Sequence, residues 1–209
     1  MSKTTQLGWH VVWSRYDRVG PQLGYGDSRV VRVGETLTVP PPARVGEYGL
    51  HFCPKLQDVL RIMYAGDNRS SWLCRVKVEG VVKSTTQYDT DGIRAGSSRT
   101  VLEMKPLRPM LIVMATRLKW LLGFEPSSVG YENHCWTNAQ QHGERILTIE
   151  PKQYGGFAPE HACNSMLSYV KDTAAVKFGH GDGGDAYLKW RDGFERRLVK
   201  LFKQQGAQE

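Results

Sequence analysis

The chain is short of cysteine, has no long hydrophobic run and lacks the common nucleotide loops. Each shortage narrows what it can be. Only four cysteines, Cys53, Cys74, Cys135 and Cys163, are spread over 209 residues, and none has C-x-x-C spacing. A disulfide-stapled scaffold is thereby excluded, and the four are expected to be free, mostly buried thiols in a reducing compartment. The longest apolar stretch, "MLIVMATRLKWLLGF" from Met110 to Phe124, carries Arg117 and Lys119. It is too short and too charged to span a bilayer, so no membrane partner is expected. The opening "MSKTTQLGW" turns straight into a strand pattern without the order of a signal peptide, so a cytoplasmic location is expected. There is no P-loop, no G-x-S-x-G nucleophile elbow, and no strand–glycine loop–helix fingerprint for a dinucleotide.

What is present is an ordinary globular composition, 40% hydrophobic and 23% charged, enough apolar material for a core without staples. The formal net charge of +7 favours acidic partners, nucleic acids, nucleotides or acidic proteins among them.

The first half reads as strands. "GWHVVW" alternates, with His10 and Val12 on one face and Val11 and Trp13 on the other. "RVVRVGETLTV" is β-branched around a Gly-Glu turn and fits two strands or a hairpin, and "PPPARVGE" is a stiff connector. "YGLHF" is a strand, with Leu50 and Phe52 on one side and Gly49, His51 and Cys53 on the other. Leu56, Val59, Leu60 and Met63 then define a one-faced helix behind Pro54. "SWLCRVKVEGVVKS" is a half-buried strand, Trp72, Cys74, Val76 and Val78 facing one way and Leu73, Arg75 and Lys77 the other. "SRTVLEM" is a further strand.

The second half changes character. "RPMLIVMATRLKWLLGF" predicts a helix, residues 125–159 an irregular stretch with one strand at "ERILTIE", and "PEHACNSMLSYVKDTAAV" another helix. After the "FGHGDGGD" break, Asp185 is expected to cap a last helix. Its apolar stripe is Leu188, Phe194, Leu198, Leu201 and Phe202, and its other face carries Lys189, Arg191, Arg196, Arg197, Lys200 and Lys203. That basic face suits phosphate contacts, but Asp192 and Glu195 between the cations favour a plain solvated face.

The histidines and cysteines do not make a zinc site by spacing. His134 and Cys135 are adjacent and point apart, and His161 and Cys163 have no second pair, so no metal is expected. His10 and His51, on two core strands, are more informative. A neutral imidazole donates and accepts at once, which suits holding a ribose hydroxyl or a carboxamide.

Residues 29–105 resemble the catalytic core of ADP-ribosyltransferases, through "VGETLTVP", "YGLHFC", "LQDVLRIM" and "WLCRVKVEG". Gly49, His51, Phe52 and Cys53 stand where poly(ADP-ribose) polymerases have Gly, Tyr, Phe and Ala, and a histidine at the second of these is similar to the RNA 2′-phosphotransferase branch. "GWHVV" supplies the first-motif histidine, His10, with Val11 and Val12 in place of the family's Gly-Thr. The order "YGLHFC", "LCRVKVEG", "SSRTVLEM" also resembles a phage and prophage family of unknown function with a Gly-Leu-His-x-Cys motif.

The resemblance implies an α+β fold with a twisted, mostly antiparallel split sheet over residues 1–105 and a helical extension over 106–209. It implies NAD as substrate, with His10 and His51 catalytic and Tyr48, Gly49 and Cys53 lining the nicotinamide side. It implies a catalytic glutamate too. Glu103 is the nearest on the last strand, with Asp89 and Asp91 as other acids, and Arg94 and Arg99 suit a pyrophosphate clamp. The acceptor would be a host protein or a nucleic acid. The other reading is a non-catalytic phage accessory module that binds nucleic acid, a nucleotide or a host protein.

Overall fold

In the computed structural model, residues 5–15, 30–45, 49–62, 69–83, 92–149, 159–179 and 184–205 are described. The expected Tyr48, Asp89 and Asp91 lie outside them. The fold is α+β, with mostly antiparallel sheets and, among the described residues, six helices. The chain divides into two compact units, Met1–Ile62 with Asn68–Leu107, and Met63–Asp67 with Arg108–Glu209.

Among its described residues the first unit holds seven strands and a helix: β1 (Thr5–Arg15), β2 (Thr36–Thr38), β3 (Leu50–Phe52), α1 (Leu56–Ile62), β4 (Arg69–Glu79), β5 (Val82–Lys83), β6 (Arg94–Gly96) and β7 (Ser98–Pro106). They form a four-stranded sheet in the order β1-β4-β7-β2 and a three-stranded sheet in the order β3-β6-β5. The two sheets meet where Trp9 and Cys53 exchange backbone hydrogen bonds of 2.7 and 2.9 Å. The expected long strand over Ser71–Ser84 is broken at Gly80, whose φ of +65° suits a residue without a Cβ, so β5 leaves for the other sheet.

Alternation decides the core. His10 stands opposite Cys74, and Val78 opposite Arg99. Directly paired residues share a face, so His10, Val12, Cys74, Val76, Val78 and Arg99 all project to one side of the sheet. Val12, Val31, Phe52, Cys74, Val76, Val78 and Val101 make the apolar cluster on that side. The ring of Phe52 lies close to Gly8 of β1, and a Cβ there would overlap it and come 2.8 Å from the Cys53 carbonyl. Gly8 is therefore the residue that lets β3 close onto β1.

The remaining helices are α2 (Leu107–Thr116), α3 (Leu118–Leu122), α4 (Gly130–Thr148), α5 (Pro159–Phe178) and α6 (Asp185–Gln204). The single helix expected over residues 108–124 is divided at Arg117. The Thr116 hydroxyl bonds back to the Ile112 and Val113 carbonyls, both at 3.1 Å, a contact that bends helices.

The larger correction is α4. Where a strand is expected at "ERILTIE", residues 144–148 are the end of a 19-residue helix and Ile149 is its C-cap. Glu132, Cys135, Ala139, Gly143 and Ile146 are its buried residues, a helical period written in small and polar side chains. It packs along α5, where the His142 and Tyr169 rings stack at 5.6 Å and the buried Gly143 lies near Met166.

In α6 the N-cap is Gly184, without a side-chain cap, and Asp185 sits inside the first turn, where its charge still suits the helix dipole. Trp190 joins Phe194, Leu198, Leu201 and Phe202 in the buried stripe, and Leu188 is only partly buried.

Candidate functional site

Three groups named from the sequence come together in the first unit: His10 on β1, His51 on β3 and Arg99 on β7. Arg99 rises from the core face of the sheet and is 2% exposed. Its Nη1 donates to the backbone carbonyl of His51 at 2.9 Å, tying the four-stranded sheet to the three-stranded one. Its Nε is buried and has no hydrogen-bond partner. A buried guanidinium is costly unless an anion or acceptors surround it, so this is an unusual place for one.

The electrostatics follow from that placement. Burial, then the Arg99 cation, then His51 hold the His10 imidazole well below the ordinary histidine value. Burial and Arg99 also lower His51, opposed by a backbone hydrogen bond at Arg44. Both rings are therefore neutral near pH 7. Burial pushes the Cys74 thiol up to about 12 against the pull of Arg99, so it is a packed thiol and not a nucleophile at neutral pH. Burial lowers Arg99 itself to about 10, which leaves it charged at neutral pH. Besides burial and a backbone hydrogen bond, the groups that set the charge of His10, His51 and Arg99 are the Arg99 cation, the His51 imidazole and the Cys74 thiol, and no carboxylate of the described residues is among them.

The other expected site residues are placed differently. Glu103 stands opposite Arg75, on the face of the sheet away from His10 and Arg99. The cause is a bulge at Arg75/Val76: Val76 pairs with Val101 and Arg75 with Glu103, so Leu102 is the extra residue. Unbroken alternation from Arg99 through Val101 would have turned Glu103 to the histidine face; the inserted residue turns it away. There it pairs with Lys105 at 2.9 Å, its side chain 45% exposed. On the same face Arg75 lies 4.5 Å over the Trp9 ring.

Arg94 donates from Nη1 to the Gln6 side-chain oxygen at 2.6 Å, a neutral partner on β1. Gly49 has a φ of +142°, and a Cβ there would lie 3.0 Å from that of Ala43 and 3.1 Å from that of Ala95. Its task is close packing at the start of β3. Cys53 is buried, and its backbone makes the bridge to Trp9. Leu50 and Phe52 are buried and His51 between them is partly exposed, as the strand pattern anticipates. Cys74, directly across from His10, is the site neighbour that the alternation of β4 could have named and that motif reading passed over.

Comparison with known proteins gives no match for this chain, neither to a protein family, nor to a curated protein, nor to a solved structure. Among the described residues no helix is long and apolar enough to cross a membrane. The class that the fold and site define is an α+β protein with a buried, positively charged cluster between two antiparallel sheets.

Proposed function

We propose that the first unit binds a phosphate-bearing nucleotide at His10, His51 and Arg99, with NAD as the nucleotide and ADP-ribosyl transfer as the reaction. One observation carries this reading: a buried arginine with an unpaired Nε, and with no carboxylate partner among the described residues, stands beside two imidazoles. A pyrophosphate would supply the missing acceptors and the opposite charge. A four-stranded and a three-stranded antiparallel sheet meeting at the site also suit the split-sheet fold of the ADP-ribosyltransferases, and the phage family with the Gly-Leu-His-x-Cys motif would share it.

In the reaction, the bond between the ribose C1′ and nicotinamide breaks, an acceptor hydroxyl on a host protein or nucleic acid bonds to C1′, and its proton is released. Neutral His10 and His51 hold the ribose hydroxyls and accept that proton. Because Glu103 faces away, no carboxylate from β7 meets the charge developing at C1′. The phosphates held by Arg99 are then the negative groups in the site.

A second reading, a non-catalytic nucleotide-binding module, is favoured by that same position of Glu103. The test is nicotinamide release from NAD, measured alongside NAD binding. Binding with release supports transfer, binding without release selects the module, and neither removes both.

A further inference from the structure

The second unit carries a different surface that the nucleotide site does not use. On α6 the residues Lys189, Asp192, Arg196, Lys200 and Lys203 are all exposed and recur every three or four positions, so they form one solvent-facing ridge. At 1.5 Å per residue it runs about 21 Å. Four of its five residues are cations. Beside it, on α3, Trp120 is 39% exposed, with the Lys200 ammonium 5.9 Å from its ring centre.

The aromatic is held in register with the ridge. Arg197, from the flank of α6, donates from Nε to the Leu121 carbonyl at 2.8 Å and from Nη2 to that of Leu122 at 3.2 Å. Trp190 Nε1 donates to the same Leu122 carbonyl at 2.7 Å. These bonds occupy the carbonyls at the end of α3, which closes on Gly123 in the left-handed conformation. Trp120 is thus fixed next to the cations on a short helix clamped at its end.

We infer that this basic ridge with its flanking tryptophan binds single-stranded nucleic acid, the cations tracking the phosphates and Trp120 stacking on a base. A row of cations alone fits any polyanion. An exposed indole clamped beside it adds a flat apolar platform, which a nucleobase uses and an acidic peptide side chain does not.

The test uses the full chain and fluorescein-labelled oligothymidylate, oligouridylate and an abasic deoxyribose-phosphate strand of equal length, read by anisotropy across a salt series. With four cations on the ridge, the logarithm of affinity should fall against the logarithm of salt with a slope of about −3. Arg196→Gln with Lys200→Gln should weaken binding at least about tenfold and shallow that slope by roughly 1.4. Trp120→Ala should weaken both base-bearing strands about tenfold, Trp120→Phe much less, and neither should change binding of the abasic strand.

Oligothymidylate and oligouridylate binding alike places recognition in the ring and phosphate they share, and a preference for one assigns a further contact to the 2′-hydroxyl or to the thymine methyl. Either result agrees with the inference. Abasic strand bound as tightly as oligothymidylate, affinity unchanged in Trp120→Ala, or polyglutamate displacing the oligonucleotides at equal charge would each overturn it. These substitutions lie in the second unit, so loss of oligonucleotide binding with NAD binding intact separates this surface from the nucleotide site.

Discussion

Arg99 concentrates the physical tension of the molecule. It is buried at 2% exposure, donates a hydrogen bond to the His51 carbonyl, and leaves Nε unpaired. Replacing such a group by an apolar side chain removes a desolvation cost and gives up one hydrogen bond. Arg99→Leu should therefore fold at least as stably as the wild type, gaining about 1 kcal/mol in urea unfolding, while losing any stabilisation by ADP-ribose or phosphate. A variant that unfolds would show instead that the tie from Arg99 to the His51 carbonyl outweighs the cost of burying the guanidinium. The histidines supply a pH signature. His10 and His51 are both held below the ordinary 6.5 in the folded chain. As pH falls below about 6.5 the unfolded chain takes up protons first, so stability is full above that value and is lost on acidification toward the folded values. The urea midpoint should drop between about pH 7.5 and pH 5.5, and His10→Gln should flatten the drop. An equal drop in the variant would assign it to other groups. Because a bound anion favours the protonated imidazoles, nucleotide binding should take up protons and tighten over the same range.

At the scale of elements, what the sequence displayed and what it concealed can be told apart by period. β1, β3, α1 and β7 were legible because apolar residues recur at the spacing of a strand or a helix, and Leu50, Phe52, Val76 and Val78 are buried as alternation requires. The bulge at Leu102 was not legible. It follows from how β7 registers on β4, a non-local pairing, and one inserted residue is enough to send Glu103 to the opposite face. α4 was hidden for another reason. Its buried face is Cys, Ala, Gly and a capped glutamate, with Glu132 Oε1 accepting from the Ser127 amide at 2.7 Å, while Ile146, Thr148 and Ile149 at its end have strand-like composition. Two glycines carry elements together and give direct tests. Gly8→Ala would drive a methyl into the Phe52 ring and should cost about 2–3 kcal/mol in urea unfolding. Gly123→Ala meets both a φ of +81° and the Arg197 guanidinium, 2.7 Å from the added carbon, and should cost about 1–2 kcal/mol or more. A neutral outcome at either would mean that the neighbouring side chain moves aside freely.

At the scale of the whole molecule, the division into a strand-rich first unit and a helical second one separates two chemistries. The first gathers buried groups around one cation, Arg99, in a specific geometry. The second spreads exposed cations along α6, part of the +7 net charge of the chain. The α+β class was legible from the change of period near residue 105. The pairing of His10 with His51 came from motif resemblance, and their convergence depends on a contact between sheets that no local pattern encodes. The most direct measurement is calorimetric titration of NAD and of ADP-ribose into the wild-type protein and into Arg99→Leu, with circular dichroism to show both folded. Micromolar binding to the wild type, lost in the variant, is the predicted result. Absence of heat with both ligands at millimolar concentration, or equal binding to the two proteins, would contradict a nucleotide site at His10, His51 and Arg99.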